Sequence, residues 1–147
     1  MEQQISTTPE QSKRIIACGV DPKSADFVWM EDKPNPRLAL RTEIIEDSNP
    51  YIVGYGWSLG RLLTLLPPII TGSPYEDDDP DGGYDKYVYG LIIYPGPVKW
   101  HGLYAPMDEE DGLYKLYESE DASVIEAVVR MIETLVSHKR KLNEIEQ

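Results

Sequence analysis

What this chain has little of narrows the field before any motif is sought. It holds one cysteine, Cys18, so no internal disulfide can form, and a lone thiol fits a reducing compartment. It holds two histidines. His138 stands in a basic tail, which leaves His101, inside a predicted strand, as the one plausible general base. No run of about 18 apolar residues exists: the greasiest stretch, residues 62–70, is interrupted by Thr64 and by Pro67-Pro68. The first dozen residues are polar, without a basic start leading into an apolar stretch. Neither a secretory signal nor a membrane span is expected, and the expected location is the cytoplasm. Phosphate-loop, dinucleotide-fingerprint and zinc-type spacings are all missing, and Gly54-Tyr55-Gly56 is too short to count as a glycine-rich loop.

Cations are scarce in one region above all. Between Thr71 and Asp121 thirteen acidic side chains face three basic ones, so that segment carries −10 of a formal net charge of −12. A field of that sign repels phosphate backbones, and direct nucleic-acid binding is not expected. It permits a basic protein partner or a metal ion.

What is present reads as one α+β domain over residues 1–147, with residues 1–6 and 138–147 as candidate frayed tails. Thr8 as N-cap, Pro9 in the first turn and Glu10 near the positive end of the helix dipole predict a first helix that runs to Cys18 and stops at Gly19. Residues 27–30 are short and β-prone. Residues 33–36 form a rigid connector, and Leu38, Leu40 and Thr42 alternate with Arg37, Ala39, Arg41 and Glu43 to predict a strand over 37–45. Residues 46–50 are a turn and 51–55 a short strand. Ser58 caps a short central helix with Leu59, Leu62, Leu63 and Leu66 on its apolar face, and Pro67-Pro68 stops it. The stretch 71–83 is read as irregular.

Three β-prone runs follow, at 84–94, 98–104 and 113–118, with connections short enough to predict an antiparallel meander. In the first, Tyr87, Tyr89, Leu91 and Ile93 share one face and Val88, Ile92 and Tyr94 the other, so a central strand is expected. Residues 119–137 are read as the strongest amphipathic helix. Ala122, Ile125, Val129, Ile132 and Val136 form its stripe, while Glu126, Arg130, Glu133 and Ser137 fall away from it. The fold class is therefore α+β: a mainly antiparallel sheet with a C-terminal three-strand meander, covered by an N-terminal, a short central and a long C-terminal helix.

Several short segments carry a resemblance. Thr-Pro-Glu-Gln-Ser at Thr8 to Ser12, Ser-Ala-Asp at Ser24 to Asp26, Trp-Ser-Leu-Gly at Trp57 to Gly60, and the helix segment from Glu126 to Glu133 together resemble a loosely related set of small uncharacterised proteins of gut anaerobes and their mobile elements. The resemblance spans most of the chain, but its motifs are not chemical and it implies no activity. The chain departs from the set in a longer acidic insertion ahead of the meander.

No catalytic, cofactor-binding or metal-ligating residue is assigned. The sharpest chemical candidate is Asp77, Asp79 and Asp81 with Gly82, which place carboxylates at alternate positions around a glycine turn, with Asp85 at the ninth position, as a calcium loop requires. Val88 stands where a bidentate Glu belongs and Pro80 stiffens the bend, so a solvated acidic connection is the plainer reading. Asp108, Glu109, Glu110 and Asp111 form a second acidic cluster. If it lies near the first, the two make one negative patch. Cys18, at a helix C-terminus, lacks the field that activates a thiol. Trp100, Tyr104, Tyr114 and Tyr117 fall on adjacent predicted strands, where core packing is the plainer reading than a pocket. The expected function is that of an interaction or accessory protein acting through its acidic loops. The alternative is a small-molecule or calcium-binding module, with enzymatic activity further behind.

Overall fold

A computed structural model describes residues 4–43, 51–72, 87–107 and 116–143. The first helix, α1 (Pro9–Ala17), begins as its sequence dictates. The Thr8 hydroxyl accepts the Gln11 amide proton at 3.1 Å while Gln11 Oε1 accepts from the Thr8 amide at 3.0 Å, closing a reciprocal cap. Gly19 ends it at φ 93°, a left-handed conformation that favours glycine.

Strands β1 (Phe27–Met30), β2 (Arg37–Leu40) and β3 (Ile52–Gly56) form a small antiparallel sheet in the order β2-β1-β3. The strand expected over 37–45 stops at Leu40 and gives way to a 3-10 turn, Arg41–Glu43. The Arg41 amide adds one more bond in the β1–β2 register, to Asp26 O, and its guanidinium Nη1 donates to the carbonyls of Pro22, Lys23 and Ala25 at 3.0, 2.7 and 3.1 Å, which anchors the turn to the segment ahead of β1. Residues 44–45 and the turn at 46–50 lie outside the described residues.

The short helix α2 (Leu59–Leu65) has Ser58 as its cap and ends before Pro67-Pro68, as expected. A second antiparallel sheet follows, formed by β4 (Ile69–Gly72), β5 (Tyr87–Pro95), β6 (Trp100–Pro106) and β7 (Leu116–Asp121) in sequence order. This corrects the expected architecture. Among the described residues there are two sheets, and the C-terminal meander has four strands, because Ile69 to Gly72 pair with β5 in the register Ile69↔Gly90 to Gly72↔Tyr87. The pair of prolines masked β4: a four-residue run after a helix stop carries too little alternation to declare itself. β5 is a central strand, as its two apolar faces implied.

The last helix, α3 (Val124–Ser137), starts five residues later than the expected 119. Residues 116–121 are strand instead. Leu116, Tyr117 and Ser119 are buried and Glu118 and Glu120 exposed, and the cap is Ser123, whose Oγ accepts the Glu126 amide proton. Ala122 is therefore exposed and outside the helix, and Val136 only half-buried. The buried face is also broader than one stripe. Ala127, Val128, Met131 and Leu135 join Ile125, Val129 and Ile132, because α3 is packed by the sheet on one side and by α1 and α2 on the other. Each of these side chains other than Ala127 contributes roughly 1.5–3 kcal/mol gross, most of it offset by ordering the chain. Gly102 allows the close approach: a Cβ there would lie 2.9 Å from Ser119 Oγ and 3.7 Å from Met131 Cε.

The main core gathers Ile15, Trp57, Leu62, Leu65, Tyr89 and Tyr104 around α3, and a satellite cluster of Val28, Met30 and Ala39 serves the small sheet. Beyond α3, Asn143 donates from its amide to Leu65 O and from Nδ2 to Leu66 O, so residues 138–143 lie against α2. Among the described residues no helix is long and apolar enough to cross a membrane.

Candidate functional site

Four short segments singled out in the sequence, Thr8–Ser12, Ser24–Asp26, Trp57–Gly60 and Glu126–Glu133, meet in space. Thr7 donates its amide to Trp57 O at 2.9 Å, its Oγ1 accepts from the Trp57 amide at 3.0 Å, and the same Oγ1 shares a proton with Ser12 Oγ at 2.7 Å. Trp57 Nε1 donates to Ser24 Oγ at 3.0 Å, and the Asp26 carboxylate accepts from both the amide and the hydroxyl of Ser58. Ser6, Thr7, Ser12, Ser24 and Trp57 are all buried. Every polar group named here has its partner, so the network ties α1, the small sheet and α2 together rather than presenting reactive atoms.

The fourth segment joins through α1. Arg14 Nη1 meets Glu126 Oε1 at 2.7 Å, its other nitrogens reach Glu133, and Gln11 Nε2 donates to Glu126 at 3.0 Å. The hydrogen bonds from Arg14, with those of Gln11 and Arg130, outweigh burial and lower the Glu126 carboxyl from 4.5 to about 2, while Arg14 is pushed up by its bonds to Glu126 and Glu133. A carboxyl whose folded value lies below its ordinary one stabilises fully above about pH 4.5 and loses that contribution as pH falls towards about 2. With allowance for screening at the half-exposed Arg14, it is on the order of 1–2 kcal/mol. Glu126→Gln should therefore flatten this part of the pH–stability curve. Urea midpoints at about pH 7 and about pH 3 check it, and an equal acid loss in both proteins would remove the assignment.

His101 lies on the outer face of β6, stacked on Tyr94 with centroids 5.1 Å apart, and its Nδ1 is 3.6 Å from Glu120 Oε2. Neighbouring Ser119 points the other way and donates to Ala127 O, so no hydroxyl nucleophile faces this imidazole from β7. The Cys18 thiol is pushed up by burial and by Glu133, against the opposing pull of Arg14, which disfavours the thiolate. Tyr104 is fully buried, donates to Pro67 O at 2.7 Å and meets Tyr117 edge-on. These tyrosines are core, not pocket lining; Tyr114 lies outside the described residues.

Among the described residues, two clefts open to solvent bear on a site. One of about 780 Å³ runs between β7 and α3, lined by Glu118, Glu120, Arg130, Glu133 and Thr134. Arg130 donates to Glu120 O at 2.9 Å and so covers part of this sheet edge. The other, about 860 Å³, has a floor of Val20, Leu65 and Val136 and a basic rim of Lys23, Lys139 and Lys141. Those lysines beyond α3 also complement the negative end of its dipole. Among the described residues no group of three or more His, Cys, Asp or Glu side chains is placed to hold a metal ion. Asp77, Asp79, Asp81 and Asp85, and the cluster from Asp108 to Asp111, lie outside the described residues.

The strands do settle where the acidic segments are attached. Gly72 pairs with Tyr87, Tyr89 with Pro106, and Tyr104 with Leu116, so residues 73–86 and 108–115 both leave and re-enter at one end of the four-stranded sheet. They carry net charges of −5 and −3. This convergence follows from sheet order, which the sequence alone did not show.

No family model, no curated protein and no solved structure matches this chain.

Proposed function

We propose that this chain is a cytoplasmic interaction or accessory protein whose acidic end binds a basic protein partner. The observation behind the reading is that two segments whose sequences carry −8 of the charge are attached at the same end of the meander. Such a field accelerates encounter with a basic surface and disfavours nucleic acid and anionic lipid. Membership of the gut-anaerobe set is part of the same proposal, supported by the meeting of its short segments in one hydrogen-bonded network.

Affinity capture from extract of the native source tests it. The baits are the native protein and a variant with Asp77, Asp78, Asp79 and Asp81 changed to Asn. A basic protein should be retained by the native bait at low salt and lost, by about tenfold or more, both at high salt and with the variant. Identical captures under all conditions would sink the reading. A small-molecule-binding module is the second reading, favoured by the cleft of about 860 Å³ with its apolar floor; its calcium version rests on the sequence pattern at Asp77 to Asp85 alone.

A further inference from the structure

Strand register puts an apolar patch on the outer face of the four-stranded sheet. Ile69 stands opposite Gly90, Ile92 opposite Leu103 and Tyr94 opposite His101, so Ile69, Val88, Ile92 and Tyr94 share that face. Met107 lies across Gly90, with its Cγ 3.6 Å from where a Cβ would stand. These five are 52%, 44%, 45%, 38% and 60% exposed. On the other face of the same strands Ile70, Tyr89 and Tyr104 are buried in the core with α1, α2 and α3. An antiparallel sheet with one face in the core ordinarily shows polar side chains on the other. Here the second face is apolar too, which marks a surface made to be covered.

We propose that this face is the docking surface for a basic, amphipathic segment of a partner protein. The proposal rests on the reading above and names the surface and the chemistry of what it takes. Charge selects the occupant. Glu118 and Glu120 stand on the same face, opposite Leu103 and His101, and border the patch along β7. At the end marked by Val88 and Met107, the two acidic segments leave the sheet. An occupant must therefore be apolar in the middle and positive at its margins. A second copy of this chain would set one acidic border against another, each copy carrying −12, and an anionic membrane is repelled by the same field. The apolar side chains supply the affinity, and the carboxylates supply orientation and rate of encounter.

Two short synthetic peptides of equal positive charge test this by fluorescence anisotropy, one with leucines along a single face and one with serines in their place. The leucine peptide should bind the native protein at least about tenfold more tightly than the serine peptide. Ile92→Glu with Val88→Glu should abolish that advantage while the serine peptide binds as well or better, because the substitutions add negative charge. Ile92→Ser with Val88→Ser should abolish it without changing the charge, and serves if the Glu pair does not keep the native melting temperature. A leucine advantage that is missing, or that survives the Ser pair, overturns the docking face. So does a dimer seen by sedimentation and dissolved by the Ser pair, since the occupant would then be a second copy. Serine-peptide binding that is lost on Asn substitution of Asp77, Asp78, Asp79 and Asp81 speaks for the acidic end alone, so the two readings fail separately.

Discussion

Val129→Asp is expected to destabilise the chain by several kcal/mol and to lower its melting temperature sharply. Val129 is 0% exposed, in the middle of α3, among Ile125, Val128 and Ile132, which are 1%, 1% and 0% exposed. A carboxylate there meets no partner and no water. Removing an unpaired charge from water costs several kcal/mol even after the group takes up a proton, against a total stability of about 5–15 kcal/mol for a domain of this kind. Ile132→Asp should behave the same way, because both residues face the helix's packed side. Far-ultraviolet circular dichroism against temperature checks the pair. A melting temperature unchanged by either would mean that α3 is not the element on which the core is built.

Trp57→Ala should cost about 3–5 kcal/mol. The indole is fully buried and touches the main core, so its removal leaves a large void that the capped ends of α1 and α2 cannot close without losing their own bonds. Trp57→Phe separates the two parts of that effect. It keeps the six-membered ring and loses the pyrrole part together with the bond from Nε1 to Ser24 Oγ, for roughly 1–3 kcal/mol. The backbone bonds between Trp57 and Thr7 remain in both variants. Urea unfolding gives the ladder native, Phe, Ala in order of falling stability. An alanine variant within about 1 kcal/mol of the native protein would show that the network at Thr7, Ser24 and Trp57 does not hold the layers together.

The elements legible in the sequence are those whose ends are written in local chemistry. Thr8 with Gln11, Gly19, Ser58 and Pro67-Pro68 mark the limits of α1 and α2 because capping and helix breaking act over three or four residues. The error at 119–137 has the same origin. Ser119, Glu120 and Asp121 look like a helix start, yet Ser119 is a strand residue facing α3, donating to Ala127 O, and the cap that works is Ser123. Local chemistry offered two starts, and β6 chose between them by pairing with residues 116–121. Strand β4 is the converse case: its apolar pair Ile69 and Ile70 gains strand structure only because β5 lies alongside.

The candidate site divides in the same way. The sequence alone determined that the chain is acidic, that the acid is concentrated between residues 71 and 121, that α1 and α2 begin and end where they do, and that β5 has two apolar faces. Each of these is a property of composition or of neighbours a few residues apart. Only the tertiary structure decided that the acidic segments share one end of a sheet. It alone decided, too, that one apolar face of β5 is buried under α3 while the other is open, and that Thr7, Ser24 and Trp57 close a single network. Those outcomes depend on which strand pairs with which and in what register. Register is set by packing between residues distant along the chain, and shifting it by one position exchanges the buried face for the open one.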